Sequence, residues 1–433
     1  MTNALKRHLI GALMKARRAV LGAADSPRLV RATRRRVLRT FGEAAREPRR
    51  GPGYHLLITS TGVNNIGDQA MFETFVQNAP GRILAITGPR ATYRIPDDAA
   101  DRVRLVKLGR LIYGFGLSHR RDVARFARLA TRARSVALVG ADVMDGGYGV
   151  RKSVVEWALA QGAAEAGLPT RVLGFSWQQD VDQAVADAAR SAVESGVVAY
   201  LRDPDSADRF EAATGAPARR AADIVFRLQG KDDSEPAVRL AQELASRGPL
   251  LLVNVSALIA RSVDLSRDYQ RVADAARALG FQVLFVPHVG DAAGGDASAI
   301  RTVVDRLAWE PGQVSALLTP QQIKALAERA SLVLTGRMHL AILALSQGTP
   351  AIVLSTQGKV AGLLREVGTP DWCLEPKEGF ADQVIPILEA YARQGSGPDV
   401  GPGVGRLSEL AQSNFVGLAA PASPADERSR AER

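Results

Sequence analysis

Three short stretches carry the residues most capable of chemistry. The first is GVNNIGDQAMFETF, residues 62–75, at a strand-to-helix junction, where Gly62 and Gly67 permit tight turns on either side of Asn64 and Asn65, and Asp68 follows. Such junctions present free backbone N–H groups and small polar side chains to a ligand. Asp68 fits a ligand contact and a helix cap equally well. The stretch lacks the glycine spacing and lysine of a nucleotide loop. The second is VGADVMDGGYG, residues 139–149, with Asp142 and Asp145 three apart in a glycine-rich turn. Two such carboxylates suit an acid/base pair or a metal, and they also suit a capped turn. The third is TGRMHLAILALSQGTPAIVLSTQGKVAGLLREVG, residues 335–368, with Arg337 and His339 opening a helix after a strand and Lys359 after the next strand. A guanidinium forks onto carboxylate or phosphate, and a histidine supplies or removes a proton near neutral pH. Two weaker elements join them. LRDPDSADRF (201–210) carries Arg202, Asp203 and Ser206, and VPHVGDAAGGD (286–296) carries His288 and Asp296.

These stretches need a frame that brings strand ends together. From residue 54 onward, short β-branched or Leu-rich runs alternate with helical stretches, which predicts parallel sheets covered on both faces. The first series is 54–60, 82–87, 135–140, 170–176, 197–203 and 222–228; the second is 249–256, 281–288, 330–336 and 350–355. The expected fold is α/β, with two doubly wound Rossmann-like domains facing a cleft. The expected divisions are a basic arm at 1–50, an N-terminal acceptor-side domain at 51–230, a C-terminal donor-side domain at 231–395 and a largely disordered Gly/Pro-rich tail at 396–433.

Composition narrows the classes. Of 433 residues, 46% are hydrophobic, enough for sizeable cores. One cysteine, Cys373, excludes an internal disulfide and a thiolate metal cluster, and five scattered histidines give no zinc pattern, so no metal is expected. The formal excess of +11 resides entirely in residues 1–50, which hold 14 Lys/Arg against Asp25, Glu43 and Glu47. That arm reads as a basic amphipathic helix on an anionic membrane, with Leu5, Leu9, Leu13 and Val20 at helical spacing, or as a solvated strand of chain. It lacks the apolar core of a secretory signal, and no run reaches the ~18 apolar residues of a membrane span. A neutral body without aromatic interleaving argues against nucleic acid. The expected location is cytoplasmic, with peripheral contact at the inner membrane face as the alternative for the arm.

In order along the chain, these motifs resemble the polysaccharide pyruvyltransferase family. NIGDQA looks like its opening loop, RDPDS its Arg-Asp-x-x-Ser element, and Asp223 in ADIVF the Asp that follows. Pro287, His288 and Asp296 match its Pro-His turn, and Arg337, His339, Gly348, Pro350 and Lys359 its closing pattern. The resemblance spans roughly 54–370. It departs where the family's glycine run is replaced by VGADVMDG. It implies a glycosyltransferase-B-like fold, phosphoenolpyruvate as donor, a pyruvate ketal on a glycan as product, and no cofactor. A donor with two anionic groups needs several cations, which Arg202, Arg337 and Lys359 can supply. Asn64, Asn65, Asp142 and Asp145 fall to the acceptor, and His339, Arg337 and Asp68 to catalysis. A nucleotide-sugar glycosyltransferase on the same architecture and a non-catalytic, membrane-associated glycan-binding protein are the competing readings.

Overall fold

A computed structural model describes residues 26–45, 53–60, 63–290, 295–355 and 359–418, and for Lys359 the backbone alone. Residues 1–25 of the basic arm, Gly62 and the end of the tail lie outside the described residues.

The first part of the chain runs α1 (Pro27–Ala44), β1 (Tyr54–Ile58), α2 (Ile66–Asn78), β2 (Ile83–Thr87), β3 (Val103–Lys107), α3 (Gly116–Ala130) and β4 (Ala133–Val139). It continues through α4 (Val150–Glu165), β5 (Thr170–Phe175), α5 (Gln183–Glu194), β6 (Val197–Leu201), α6 (Pro204–Thr214) and β7 (Arg219–Arg220). There follow α7 (Pro236–Ala245), β8 (Leu250–Val253), α8 (Ala257–Ala260), α9 (Ser266–Ala278), β9 (Gln282–Phe285), α10 (Gly295–Val304), β10 (Gly312–Gln313) and α11 (Pro320–Glu328). The chain closes with β11 (Leu332–Thr335), α12 (Met338–Leu345), β12 (Ala351–Leu354), α13 (Lys359–Glu366), β13 (Cys373–Leu374), α14 (Ala381–Gln394) and α15 (Gly401–Gln412).

Two compact units result. One holds the chain up to Ile58, Gly81–Pro89 and Arg104–Arg220; the other holds Thr59–Pro80, Arg90–Val103 and the chain from Ala221. The first sheet has the order β3-β2-β1-β4-β5-β6-β7 and the second β10-β9-β8-β11-β12-β13. All five pairs of the second sheet are parallel. The order reverses beside β1/β4 in one sheet and β8/β11 in the other, which is where open α/β sheets expose strand ends to ligands. Apolar runs such as LLLV in β8 are buried on both faces, as a sheet between helix layers requires.

Three expectations need correction. First, ADIVF is not a strand: Asp223 accepts from the Val225 N–H at 3.0 Å and caps a 3-10 turn at Ile224–Arg227. Second, residues 27–44 are no solvated arm. Val30, Thr33, Val37, Thr40 and Phe41 bury one stripe of α1 in the first unit's core. Third, the tail is structured through Leu418: Leu407 and Ala411 of α15 are buried, and Phe415 packs on Phe75. One of its glycines serves close approach. A Cβ at Gly403 would lie 2.5 Å from the Val367 Cα.

Candidate active site

The site grows from neighbouring strands of the second sheet. β8 and β11 pair with Val253 opposite Leu334, so the residues just beyond them, Asn254 and Thr335, meet. The Thr335 hydroxyl donates to Asn254 Oδ1 at 3.2 Å and accepts the Arg337 N–H at 2.9 Å, which fixes the first residue of the turn into α12.

Arg337 then lies along the carboxylate of Asp296. Its Nε donates to Oδ2 at 3.2 Å and an Nη to Oδ1 at 2.5 Å. Asp296 is wholly buried and accepts four more bonds: Ala257 N at 2.9 Å, Asn254 Nδ2 at 3.1 Å, His288 N at 3.1 Å and Val289 N at 3.0 Å. Burial alone would raise this carboxyl's pKa, but the Arg337 bonds and charge and the Ala257 and Asn254 donors outweigh it and hold it below the usual range. The chain reaches this geometry through Gly295, at φ +51°, where a Cβ would stand 2.4 Å from the Val289 carbonyl. Only glycine takes that turn without cost.

His339 stands two residues on. Its Nε2 is 3.5 Å from Asp223 Oδ2, longer than a well-formed hydrogen bond. The other edge of the ring lies against Gly67 in the first turn of α2, where an added Cβ would come 2.4 Å from Nδ1. His288, 1% exposed, has no hydrogen-bond partner for either ring nitrogen among the described residues. Burial, opposed by Asp296 and reinforced by His339 and Arg337, pushes its pKa down to about 3, so it is neutral at physiological pH.

The first turn of α2 also borders a cavity of about 440 Å³, lined by Asn64, Asn65, Asp68, Glu73, Tyr93 and Arg94 among others. Asn65 caps the helix through Oδ1 to the Gly67 N–H at 3.0 Å. Asn64 takes φ +51°, held by a bond from the Thr92 hydroxyl at 2.9 Å. Glu73 receives Gln69 at 2.7 Å and Gln321 at 2.5 Å. Burial raises its pKa, the two amides opposing.

The sequence-derived candidates thus fall into two groups. Arg337, His339, Asp68, Asn64 and Asn65 share the second unit, with Asp223, His288 and Asp296. Arg202, Asp142 and Asp145 lie in the first. There Arg202 is buried, donates from Nε to the Ser176 hydroxyl at 2.7 Å, and pairs with Asp142. A residue expected on the donor and one expected on the acceptor therefore engage each other. Asp145 is buried and accepts from the Gly147 N–H at 3.0 Å. The side chain of Lys359 is outside the described residues. Asn254, Thr335, Glu73 and Gln321 were not anticipated. Asn254 left one signal, a lone amide ending the run LLLVN.

Among solved structures the likeness is one of fold. S. aureus MnaA in its co-structure with UDP matches at 11% identity and a TM-score of 0.51, covering 86% of this chain and 99% of that one. The UDP-GlcNAc 2-epimerase of Neisseria meningitidis, bound to UDP-GlcNAc, matches at 10% and 0.50, covering 84% and 99%. A putative UDP-N-acetylglucosamine 2-epimerase from Listeria monocytogenes matches at 9% and 0.50, covering 88% and 95%. The fold is accordingly glycosyltransferase-B-like, as expected. No curated protein matches the sequence. The model of one family, polysaccharide pyruvyl transferase, matches residues 65–358, a span that runs from the Asn65 cap through Asp223, His288, Asp296, Arg337 and His339. The chain belongs to the polysaccharide pyruvyl transferase family.

Proposed function

We propose that this transferase takes its pyruvyl group from phosphoenolpyruvate and joins it as a ketal to two hydroxyls of a sugar unit, with no cofactor. The observation that supports this reading best is the pair at the start of α12: an arginine pre-oriented on a buried carboxylate, two residues from a histidine flanked by a second carboxylate. Arg337 uses two of its five N–H donors on Asp296, and the remainder can meet the donor's carboxylate or phosphate. Asp296 keeps the guanidinium from swinging, so little is reorganised as charge develops. Lys359 adds a second cation on this reading. Arg202 stays paired with Asp142 in this scheme.

The reaction needs one proton delivered to the methylene carbon of the enol. With Nε2 facing Asp223, Nδ1 is the nitrogen of His339 left to carry it. Protonation leaves a cationic centre at the adjacent carbon. One sugar hydroxyl adds there and gives up its proton; phosphate then departs, and a second hydroxyl closes the ketal as its proton passes to the phosphate. Phosphoenolpyruvate and a diol become a pyruvate ketal and inorganic phosphate. We assign the sugar to the cavity at Asn64, Asn65 and Asp68, with Asp68 as the base that takes the hydroxyl proton. Asp142 and Asp145 shape their own loop in this scheme.

Two measurements test it. His339→Ala is expected to lower turnover by about 10²–10⁴-fold, with loss of solvent deuterium incorporation at the pyruvyl methyl and an unchanged circular dichroism spectrum. Unaltered phosphate release from phosphoenolpyruvate plus acceptor would remove His339 from the mechanism. Phosphoenolpyruvate is expected to raise the melting temperature where uridine and guanosine diphosphates do not, and the reverse would favour a nucleotide-sugar donor.

A further inference from the structure

The first unit carries a surface that neither the reaction nor the core uses. α1 and α3 pack side by side, with Phe41 and Phe126 edge to face at 6.0 Å between ring centres. Each helix turns an arginine row outward. On α1, Arg28, Arg31, Arg35 and Arg39 recur every three or four residues and are all exposed. On α3, Leu117, Arg121, Arg125 and Arg128 do the same. Across both helices ten arginines face two acidic residues, Glu43 and Asp122. Arg39 lies 4.0 Å from Glu43, and Asp122 is engaged by the Arg110 N–H at 2.7 Å. Among the described residues the other six outward arginines have no carboxylate partner.

Charge alone would describe a well-solvated face. The start of α3 adds a second kind of group: Phe115 is 52% exposed and Leu117 70% exposed, beside half-exposed Tyr113. Lys152 lies over the Tyr113 ring at 4.7 Å, so a cation and apolar groups share one edge, while Arg151, itself buried, backs the Phe115 ring at 4.0 Å. Large apolar side chains on the rim of a cationic face are what an interfacial membrane site needs. Arginines gather at anionic headgroups while aromatic and aliphatic groups enter the acyl boundary. A nucleic acid would use the arginine rows but would gain nothing from Leu117, which is aliphatic and cannot stack on a base.

We propose that the α1–α3 face docks this enzyme onto a bilayer containing anionic phospholipid, with Phe115 and Leu117 inserted at the interface. The inference is independent of the donor and of the catalytic residues. The occupant follows from charge complementarity together with the adjoining apolar edge.

Co-flotation of the full chain with vesicles tests it. The chain is expected to float with phosphatidylcholine vesicles containing phosphatidylglycerol and not with phosphatidylcholine alone. Replacing Arg121, Arg125 and Arg128 by Gln should weaken binding by roughly a hundredfold, at about fivefold per arginine. Phe115→Ser with Leu117→Ser should abolish the part of binding that survives high salt, since screening weakens only the charge term. The arginine variant is expected to keep the wild-type melting temperature, because those side chains face solvent. Leu117→Ser alone, 70% exposed, serves as the apolar variant that leaves the Phe115–Arg151 contact in place, and it should lose most of the salt-resistant binding. Equal flotation with neutral vesicles would overturn the proposal. So would arginine variants that bind like the parent, as would release from vesicles by DNA at equal phosphate concentration.

Discussion

Gly67 shows what a single hydrogen atom in place of a methyl permits. It leaves space for the His339 ring against the first turn of α2, and a Cβ there would intrude to 2.4 Å from Nδ1. Gly67→Ala is therefore expected to push the imidazole from its place beside Asp223. Displacement of a catalytic group by about 1 Å can cost about a hundredfold in rate, while overpacking of this size costs about 1–3 kcal/mol in stability. The measurement is kcat against melting temperature in the same preparation. Full activity with a lowered melting temperature would mean that the ring's position is not critical. The sequence pointed to Gly67 as a permissive turn residue, which is only half its role. The contact with His339 spans 272 positions, and no local pattern reports it. Arg337 and His339 were legible because a strand, a turn and two titratable groups fall within a few residues. The Asp296 carboxylate with its six donors was not, because every one of those donors comes from outside its local stretch or from the backbone.

At the scale of elements, α4 is the least amphipathic part of the first unit, and the reason is its cover. Buried residues occur on every side of it, from Val154 to Ala163. Phe41 of α1 rests on Gly162, where a Cβ would lie 2.7 Å from the ring. This enclosure traps Glu156, whose Oε2 has no partner among the described residues. Burial, opposed by Lys152, pushes its pKa up to about 8. A folded-state pKa above the unfolded value means a stability contribution that is complete below the unfolded carboxyl range of about 4.3 and is lost as pH rises through about 8. Glu156→Gln should therefore flatten the fall in melting temperature between pH 5 and about 8, raising it at the upper end and leaving it little changed at the lower. A parallel pH profile in the two proteins would contradict this. The regular strands were legible from their apolar runs, since sheets buried on both faces select such runs. Residues 27–44 were obscured because arginines, at half of the exposed positions, hide a stripe formed by Val30, Thr33, Val37 and Phe41. In the tail, GPGVG reads as a breaker, yet it opens α15: Pro402 stands in the first turn, where its missing N–H costs nothing, and Gly403 passes close to Val367.

Across the whole chain, the boundary between units is crossed five times, near residues 58, 80, 89, 103 and 220. The second unit accordingly depends on segments encoded far upstream. Phe75 packs on Phe415, Glu73 receives Gln321, and Gln77 bonds the backbone of Gln229 in both directions at 2.8 and 3.2 Å. A polypeptide beginning at Ala221 loses all of these together with the 90–103 segment. It is expected to melt without a cooperative transition by circular dichroism, whereas the full chain melts cooperatively. A sharp transition in the fragment would show that the upstream segments are dispensable.

The same interlacing bears on how such a gene could be shuffled. Glycine at codon 67 and histidine at codon 339 are complementary shapes in one small volume. A crossover between relatives anywhere in that interval would deliver one parent's notch and the other's ring. Exchange at the ends of the reading frame leaves the pair together, so innovation by recombination is easiest where it least disturbs the chemistry.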